Sequence, residues 1–238
     1  MSDVLPSYRL SKSKITAFEH CAKRLWLQFH RPEVARIDPG TQSLFNFGHA
    51  VGARALSSFP AGIMVDTGQD MAAALARTNE LMLAKPRRPI FEATFQHEDV
   101  LVRVDILVPA GSDEWWAIEV KASTKLKAYQ LADLATQMWV MHGCGIKVSR
   151  AYLRLIAQPF SWRRPNVARL RFQDADVTRP VKRLASKRDA VIEAARETAR
   201  GSEVDQEMGA QCERPLTCEF RSYCRDLRDQ PLLAKLRN

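Results

Sequence analysis

Asp105, Glu119 and Lys121 are the residues of this chain whose types and spacing could do chemistry together. Asp105 stands between Val104 and Ile106 in one apolar run, and Glu119 and Lys121 bracket Val120 in the next. The two runs, residues 100–108 and 115–120, flank Pro109, Ala110, Gly111, Ser112 and Asp113, a set of turn formers that predicts a hairpin. Strand side chains alternate in direction, so Glu119 and Lys121 share one face while Ile118 and Val120 share the other. When such strands pair, the two carboxylates can meet beside the Val120 carbonyl. That is a donor set for Mg²⁺ or Mn²⁺, which take hard oxygen ligands and keep several waters. Lys121 could then orient or help deprotonate an attacking water, or stabilise charge growing on a phosphate. The same spacing also occurs on a solvated strand edge with one surface ion pair, so the rest of the chain has to decide between the two.

The chain has 238 residues, 46% of them hydrophobic, which gives room for one large domain with ample core. Its net charge is +9, from 36 Lys and Arg against 27 Asp and Glu. Such an excess favours a polyanionic partner, nucleic acid ahead of an anionic membrane surface. No apolar run approaches the ~20 residues of a membrane span, and the first residues are polar and acidic where a signal peptide needs an apolar core. A cytoplasmic protein that does not engage a membrane is expected. In that compartment five cysteines point to metal or redox chemistry in place of disulfides. Cys212, Cys218 and Cys224 follow one another at intervals of five intervening residues, Cys21 lies near the other end, and Cys144 between Gly143 and Gly145 reads as a packing thiol.

The elements that must position these residues follow from periodicity. Ile15, Phe18, Ala22, Leu25 and Phe29 predict one helix over 15–29, capped by Ser11 or Ser13. A second helix is expected over 44–58, carrying His49, and a third over 70–84. Phe91, Ala93 and Phe95 alternate with Glu92, Thr94 and Gln96, which predicts a strand with Glu92 off its apolar side. A basic loop with Lys125 and Lys127 leads into a helix over 129–141 that carries Gln137. Strand character returns at 148–156 and 167–172, with Trp162, Arg163 and Arg164 between them, and a single helix is expected over 180–200. This order fits an α/β sheet flanked by helices.

The ordered set Glu92, Asp105, Glu119-Val120-Lys121 and Gln137, with cysteines at both ends, resembles the PD-(D/E)XK nuclease superfamily. More closely it is similar to the RecB-type branch with an iron–sulfur cluster, which includes CRISPR-associated adaptation exonucleases and the AddB nuclease domain, and to an uncharacterised bacterial group. The resemblance covers nearly the whole chain. It implies a restriction-endonuclease-like mixed sheet flanked by helices in one domain, with a helical part at 1–85, a catalytic sheet at 86–175, and a C-terminal helix and cysteine-rich tail at 176–238. It implies Asp105 and Glu119 as ligands of Mg²⁺ or Mn²⁺, Lys121 as the catalytic lysine, Gln137 beside the site and Glu92 in support. Met141 stands where many relatives have a tyrosine, and Val104 where the motif has proline. The metal-binding histidine of many relatives corresponds to Gly52 here, and His49, almost a turn earlier, is the candidate to reach the metal in its place. The resemblance further suggests that Cys21, Cys212, Cys218 and Cys224 ligate a [4Fe–4S] cluster. Four thiolates also suit zinc, although structural zinc sites more often use tighter cysteine pairs.

The expected activity is metal-dependent hydrolysis of DNA, as an exonuclease favouring single-stranded ends, with Lys125, Lys127, Arg163 and Arg164 neutralising the backbone without reading sequence. A helicase or a CRISPR or defence protein is the kind of partner such relatives work with. A cluster-stapled nucleic-acid binding subunit without cleavage is the alternative, and RNA or a small nucleotide is a third substrate class.

Overall fold

The computed structural model describes residues 10–158 and 166–236. In chain order these form β1 (Leu10–Ser11), α1 (Lys12–His20), α2 (Ala22–His30), a 3₁₀ turn (Pro32–Val34), α3 (Pro39–Leu56), β2 (Ile63–Met64), α4 (Met71–Leu83), β3 (Ile90–His97), β4 (Val100–Ala110), β5 (Glu114–Lys121), α5 (Ala128–Gly143), β6 (Lys147–Ile156), a 3₁₀ turn (Val167–Arg169), β7 (Phe172–Asp176), α6 (Thr178–Ala185), α7 (Arg188–Arg200), a 3₁₀ turn (Ala210–Cys212) and α8 (Arg221–Leu236). They divide into two compact units. One holds the described residues of Ser13–Asn46 and the chain from Ala190 onward, and the other holds residues 10–12 and Phe47–Asp189.

The second unit is built on a mixed sheet of order β2-β3-β4-β5-β6-β7, with β1 paired to β4. β3, β4 and β5 form an antiparallel meander, and Gly111 supplies the left-handed residue (φ 57) in the β4–β5 turn where turn formers were expected. β6 lies parallel to β5, so the chain must cross over between them, and α5 is that crossover. Ile118 packs with Phe91 and Ile106, joined by Val120, Val108 and Tyr152 under Leu56 and Phe59 at the end of α3. Further along α3, Phe47 and Val51 pack on Ile156 and Leu170. Glu119, between Ile118 and Val120, bonds to α5 on the other side of β5, as the alternation requires. α4 is capped by Asp70, whose carboxylate accepts the Ala73 N–H at 2.9 Å. It docks on β3 through Thr78, whose hydroxyl accepts the Thr94 N–H at 2.9 Å.

One geometric detail positions the site. The β4–β5 ladder runs from Ala110↔Glu114 to Ile106↔Ile118 and stops there. Farther back along β4, Val100 and Leu101 pair with β3 on one side, so β1 takes the other. The strands therefore fork just past Ile106, with Asp105 on one arm, Glu119 and Lys121 on the other, and Lys12, the residue after β1, entering from the open end.

In the first unit, α2 is tied to the C-terminal segment by polar contacts. Arg24 and Gln28 both donate to Glu219 Oε1, at 3.1 and 2.9 Å. Lys23 pairs with Glu203 at 2.9 Å, and the Trp26 indole N–H donates to the Gly201 carbonyl at 2.9 Å. Ile15, Leu25, Leu27, Ile192, Ala195 and Phe220 are buried.

Three expected elements differ from the structure. The helix predicted over 15–29 is two, because Cys21 is extended (φ −163, ψ 115) and ends α1 while its carbonyl starts α2. The helix predicted over 180–200 is α6 and α7, separated at Ser186–Lys187; the apolar positions continue in phase across the break and so hide it. The strand predicted over 167–172 is a 3₁₀ turn, and the edge strand β7 begins at Phe172, its polar sequence giving little apolar alternation to read.

Ile118→Ala should cost about 2–5 kcal/mol of stability, the range for a large-to-small change in a packed core. Urea unfolding followed by circular dichroism measures it, and a loss well under 1 kcal/mol would contradict the packing that fixes which face Glu119 takes.

Candidate active site

Glu119 is the centre of the fork. Its side chain is 4% exposed and both oxygens are engaged. Oε1 accepts from Lys12 Nζ at 2.8 Å and from Lys121 Nζ at 2.9 Å, and Oε2 accepts from Gln137 Nε2 at 2.6 Å. Burial raises the carboxyl pKa, but the two ammonium groups outweigh burial and bring it down to about 2. Gln137 is fully buried on α5 and also donates to the Arg103 carbonyl at 3.1 Å, which ties Glu119 to β4. Among the described residues, Gln137 Oε1 is buried with no hydrogen-bond partner.

Lys121 is held between Glu119 and Asp133, whose Oδ2 lies 2.6 Å from Nζ. Burial works against its charge, yet the two carboxylates outweigh burial and raise its pKa above the ordinary lysine value. As placed, Lys121 is an ammonium donor and has no lone pair with which to take a proton from water. Asp133 was not among the expected residues. Its signal is its position four residues before Gln137 on the same helix face.

Asp105 stands across the fork. Its Oδ2 accepts the Val120 N–H at 2.7 Å, so Val120, expected through its carbonyl, meets Asp105 through its amide. Burial and repulsion from Glu119 push the Asp105 carboxyl up to about 7, against the pull of Lys12 and the Val120 amide. Glu92 lies opposite Asp105 in the β3–β4 register, where the ladder is interrupted between Phe91↔Ile106 and Ala93↔Val104. Its backbone is left-handed (φ 56), an uncommon state for a residue with a side chain, of the kind that gathers at functional sites. Burial raises its pKa as well; Arg103 and Lys12 oppose that, and Glu119 adds to it. His49 is exposed on α3, and among the described residues no hydrogen bond or ion pair joins it to Asp105 or Glu119.

Glu92, Asp105, Glu119 and Asp133 outnumber the cations that face them, Lys12, Lys121 and Arg103. A surplus of buried carboxylate oxygen with two acids repelling one another fits one hard divalent cation held by Asp105 and Glu119. Lys125 and Lys127 are exposed on the loop between Lys121 and α5, beside exposed Leu126 and Tyr129. Gln130 orders that loop by accepting the Lys127 N–H at 2.9 Å and donating to Ser123 Oγ at 3.1 Å. Arg163, Arg164 and Trp162 lie outside the described residues. Trp115 is buried under the Arg87 guanidinium, 4.1 Å from the ring centroid, and serves packing; Trp116 is partly exposed and meets Tyr152 edge-on.

Cys21, Cys212, Cys218 and Cys224 all fall in the first unit. Burial raises the thiols of Cys21, Cys218 and Cys224, and the nearness of another cysteine of the set adds to the rise at each of the three. Chemically the set suits a four-thiolate group. As placed, Cys21 Sγ donates to Gln206 Oε1 at 3.3 Å, and among the described residues no group of three or more His, Cys, Asp or Glu side chains is arranged to hold a metal ion. Cys144, expected as a packing thiol, is exposed, its Sγ 3.2 Å from the Gln96 carbonyl. Among the described residues, no helix is long and apolar enough to cross a membrane.

No family model matches the sequence, and no curated protein is significantly similar to it. Among solved structures, the crystal structure of SSO0001 is similar at 11% identity and a TM-score of 0.43, covering 90% of this chain and 85% of that one. An alkaline exonuclease (LHK-Exo) from Laribacter hongkongensis is similar at 12% identity and a TM-score of 0.32, covering 80% of this chain and 89% of that one.

The raised Asp105 carboxyl has a consequence for stability. Between about pH 4 and pH 7 the folded chain keeps a proton that the unfolded chain has lost, because the unfolded value is near 4. The stability due to that proton is fully present below pH 4 and is lost as pH rises through about 7. The urea midpoint of metal-free protein should therefore fall between pH 5 and pH 8, and Asp105→Asn, which cannot ionise, should flatten the fall. Parallel pH profiles for the two proteins would contradict the burial of Asp105 beside Glu119 as the source of its raised carboxyl.

Proposed function

We propose that the second unit is a divalent-metal-dependent nuclease that hydrolyses phosphodiester bonds of DNA. What supports the reading above all is the fork, which brings Asp105, Glu119 and Lys121 together in a partly buried, carboxylate-rich site beside an exposed lysine loop. Asp105 and Glu119 would hold Mg²⁺ or Mn²⁺, which when bound supplies Lewis-acid activation of water and of the phosphoryl oxygen. Lys121 stays protonated and presents positive charge toward the phosphate as negative charge grows on it. Gln137 holds Glu119 in orientation, and Asp133 does the same for Lys121. Glu92 sets the charge on the far side of Asp105, with His49 at the rim. Lys125 and Lys127 contact backbone phosphates, which carries affinity without sequence preference. Cleavage from single-stranded ends is the finer form of this activity, and a helicase or a CRISPR or defence protein is the kind of partner that would deliver such ends in the cytoplasm.

The experiment is cleavage of end-labelled single- and double-stranded DNA by the full chain with Mn²⁺ or Mg²⁺. Asp105→Ala and Lys121→Met should each lower the rate 100-fold or more, on the order of losing a transition-state charge contact, with the fold retained by circular dichroism. Metal-dependent cleavage that persists in either variant would overturn the assignment. Salt-sensitive DNA binding with no product from wild type would move the protein to a binding subunit.

We propose the four cysteines of the first unit as ligands of a structural [4Fe–4S] cluster, a reading supported by their all falling in that unit and by the suitability of four thiolates for it. Protein purified without oxygen should contain iron and acid-labile sulfide and absorb in the visible, and Cys212→Ser should lose that absorbance. Zinc, or no metal, in the wild-type protein would contradict the cluster.

A further inference from the structure

Lys12 has no place in the motif set, yet it makes the shortest ion pair to Glu119, at 2.8 Å. It gets there because β1 pairs with Val100 and Leu101 and ends at Ser11, so the next residue enters the open end of the fork. Glu119 Oε1 thereby carries two ammonium groups, Lys12 and Lys121, and its two lone pairs are both in use. With Gln137 on Oε2, three of the four acceptor positions of the carboxylate are filled by the chain's own donors. Lys121 has a second anchor in Asp133. Lys12 also lies within the field of Asp105, so its charge faces both carboxylates across the fork.

We propose that Lys12 is a resident counter-ion of the Asp105–Glu119 pair that opposes the divalent cation, so that metal loading and the Lys12–Glu119 ion pair exclude one another. The inference rests on the metal-site reading above. A cation held by Asp105 and Glu119 would stand beside the Lys12 ammonium, where like charges in a partly desolvated site repel strongly. It would also need oxygen lone pairs that Lys12 now uses. Without metal, Lys12 keeps two repelling carboxylates together; with metal, that role passes to the ion. Lys12 thus sets the metal concentration at which the site loads.

The test titrates Mn²⁺ alone into the full chain and follows free Mn²⁺ by electron paramagnetic resonance, in wild type, Lys12→Gln, Lys12→Arg and Asp105→Asn. Lys12→Gln keeps a hydrogen-bond donor for Glu119 and removes only the charge. It should bind Mn²⁺ on the order of tenfold more tightly than wild type, whereas Lys12→Arg should stay near wild type. By linkage, Lys12→Gln should also melt at a lower temperature than wild type without metal, and saturating Mn²⁺ should narrow the gap. If Asp105→Asn abolishes Mn²⁺ binding while folded Lys12→Gln binds no more tightly than wild type, the counter-ion role is overturned and the metal site stands. If Lys12→Gln does not fold, Lys12→Arg carrying markedly tighter Mn²⁺ binding than wild type would overturn it as well. If Asp105→Asn binds Mn²⁺ as wild type does, or if none of the proteins binds it, the metal-site reading itself fails.

Discussion

Burying the carboxylate of Glu119 is the constraint on which the site depends. An ionised carboxylate in a poorly solvated position is costly unless it is paired and hydrogen-bonded, and removing one partner of such a pair leaves an uncompensated charge. Glu119 meets that requirement from three separate segments: Lys12 after β1, Lys121 two residues along its own strand, and Gln137 on α5. Each partner is held by something else in turn. Gln137 also bonds β4, Lys121 also bonds Asp133, and Lys12 directly follows the pairing of Leu10 and Ser11 with β4.

The fork explains why these charges can coexist with a tight core. Up to Ile106↔Ile118, β4 and β5 are an ordinary antiparallel pair, and Ile118 packs in the apolar cluster beneath α3. Past that point the Val120 amide turns to the Asp105 carboxylate, so a backbone donor that regular pairing would satisfy is satisfied by an acid instead. Next to the opening the β3–β4 ladder is interrupted as well, at Glu92. The sheet thus gives up regular pairing on both sides of Asp105, and acidic groups gather there.

The first unit solves a different problem. Alongside the unit's buried Ile15, Leu25, Leu27, Ile192 and Phe220, α2 is held to the later segment by charged and polar contacts to Glu203 and Glu219 and to the carbonyls of Ala199 and Gly201. Arg24 and Gln28 converge on one partly buried carboxylate, Glu219, whose pKa they lower against the effect of burial. The break at Cys21 between α1 and α2 removes that thiol from a continuous helix face and places it at the start of α2.

Much of the sheet of the second unit was legible in the sequence because its signals are local. Alternation along 115–121 determines that Glu119 and Lys121 share a face, and Gly111 among turn formers determines the hairpin that brings Asp105 near them. The helix after β5 follows from periodicity, and so does the presence of Gln137 on it. Breaks between helices were not legible where the apolar phase runs through them, as at Cys21 and Ser186. Lys12 and Asp133 were missed for another reason. Lys12 reaches Glu119 across 107 positions of sequence through a two-residue strand pairing, which leaves no periodic trace. Only the tertiary structure decides which distant charge enters the open end of the fork, because that choice is made by strand order and by the energy of a buried carboxylate, neither of which is carried by any short stretch of residues.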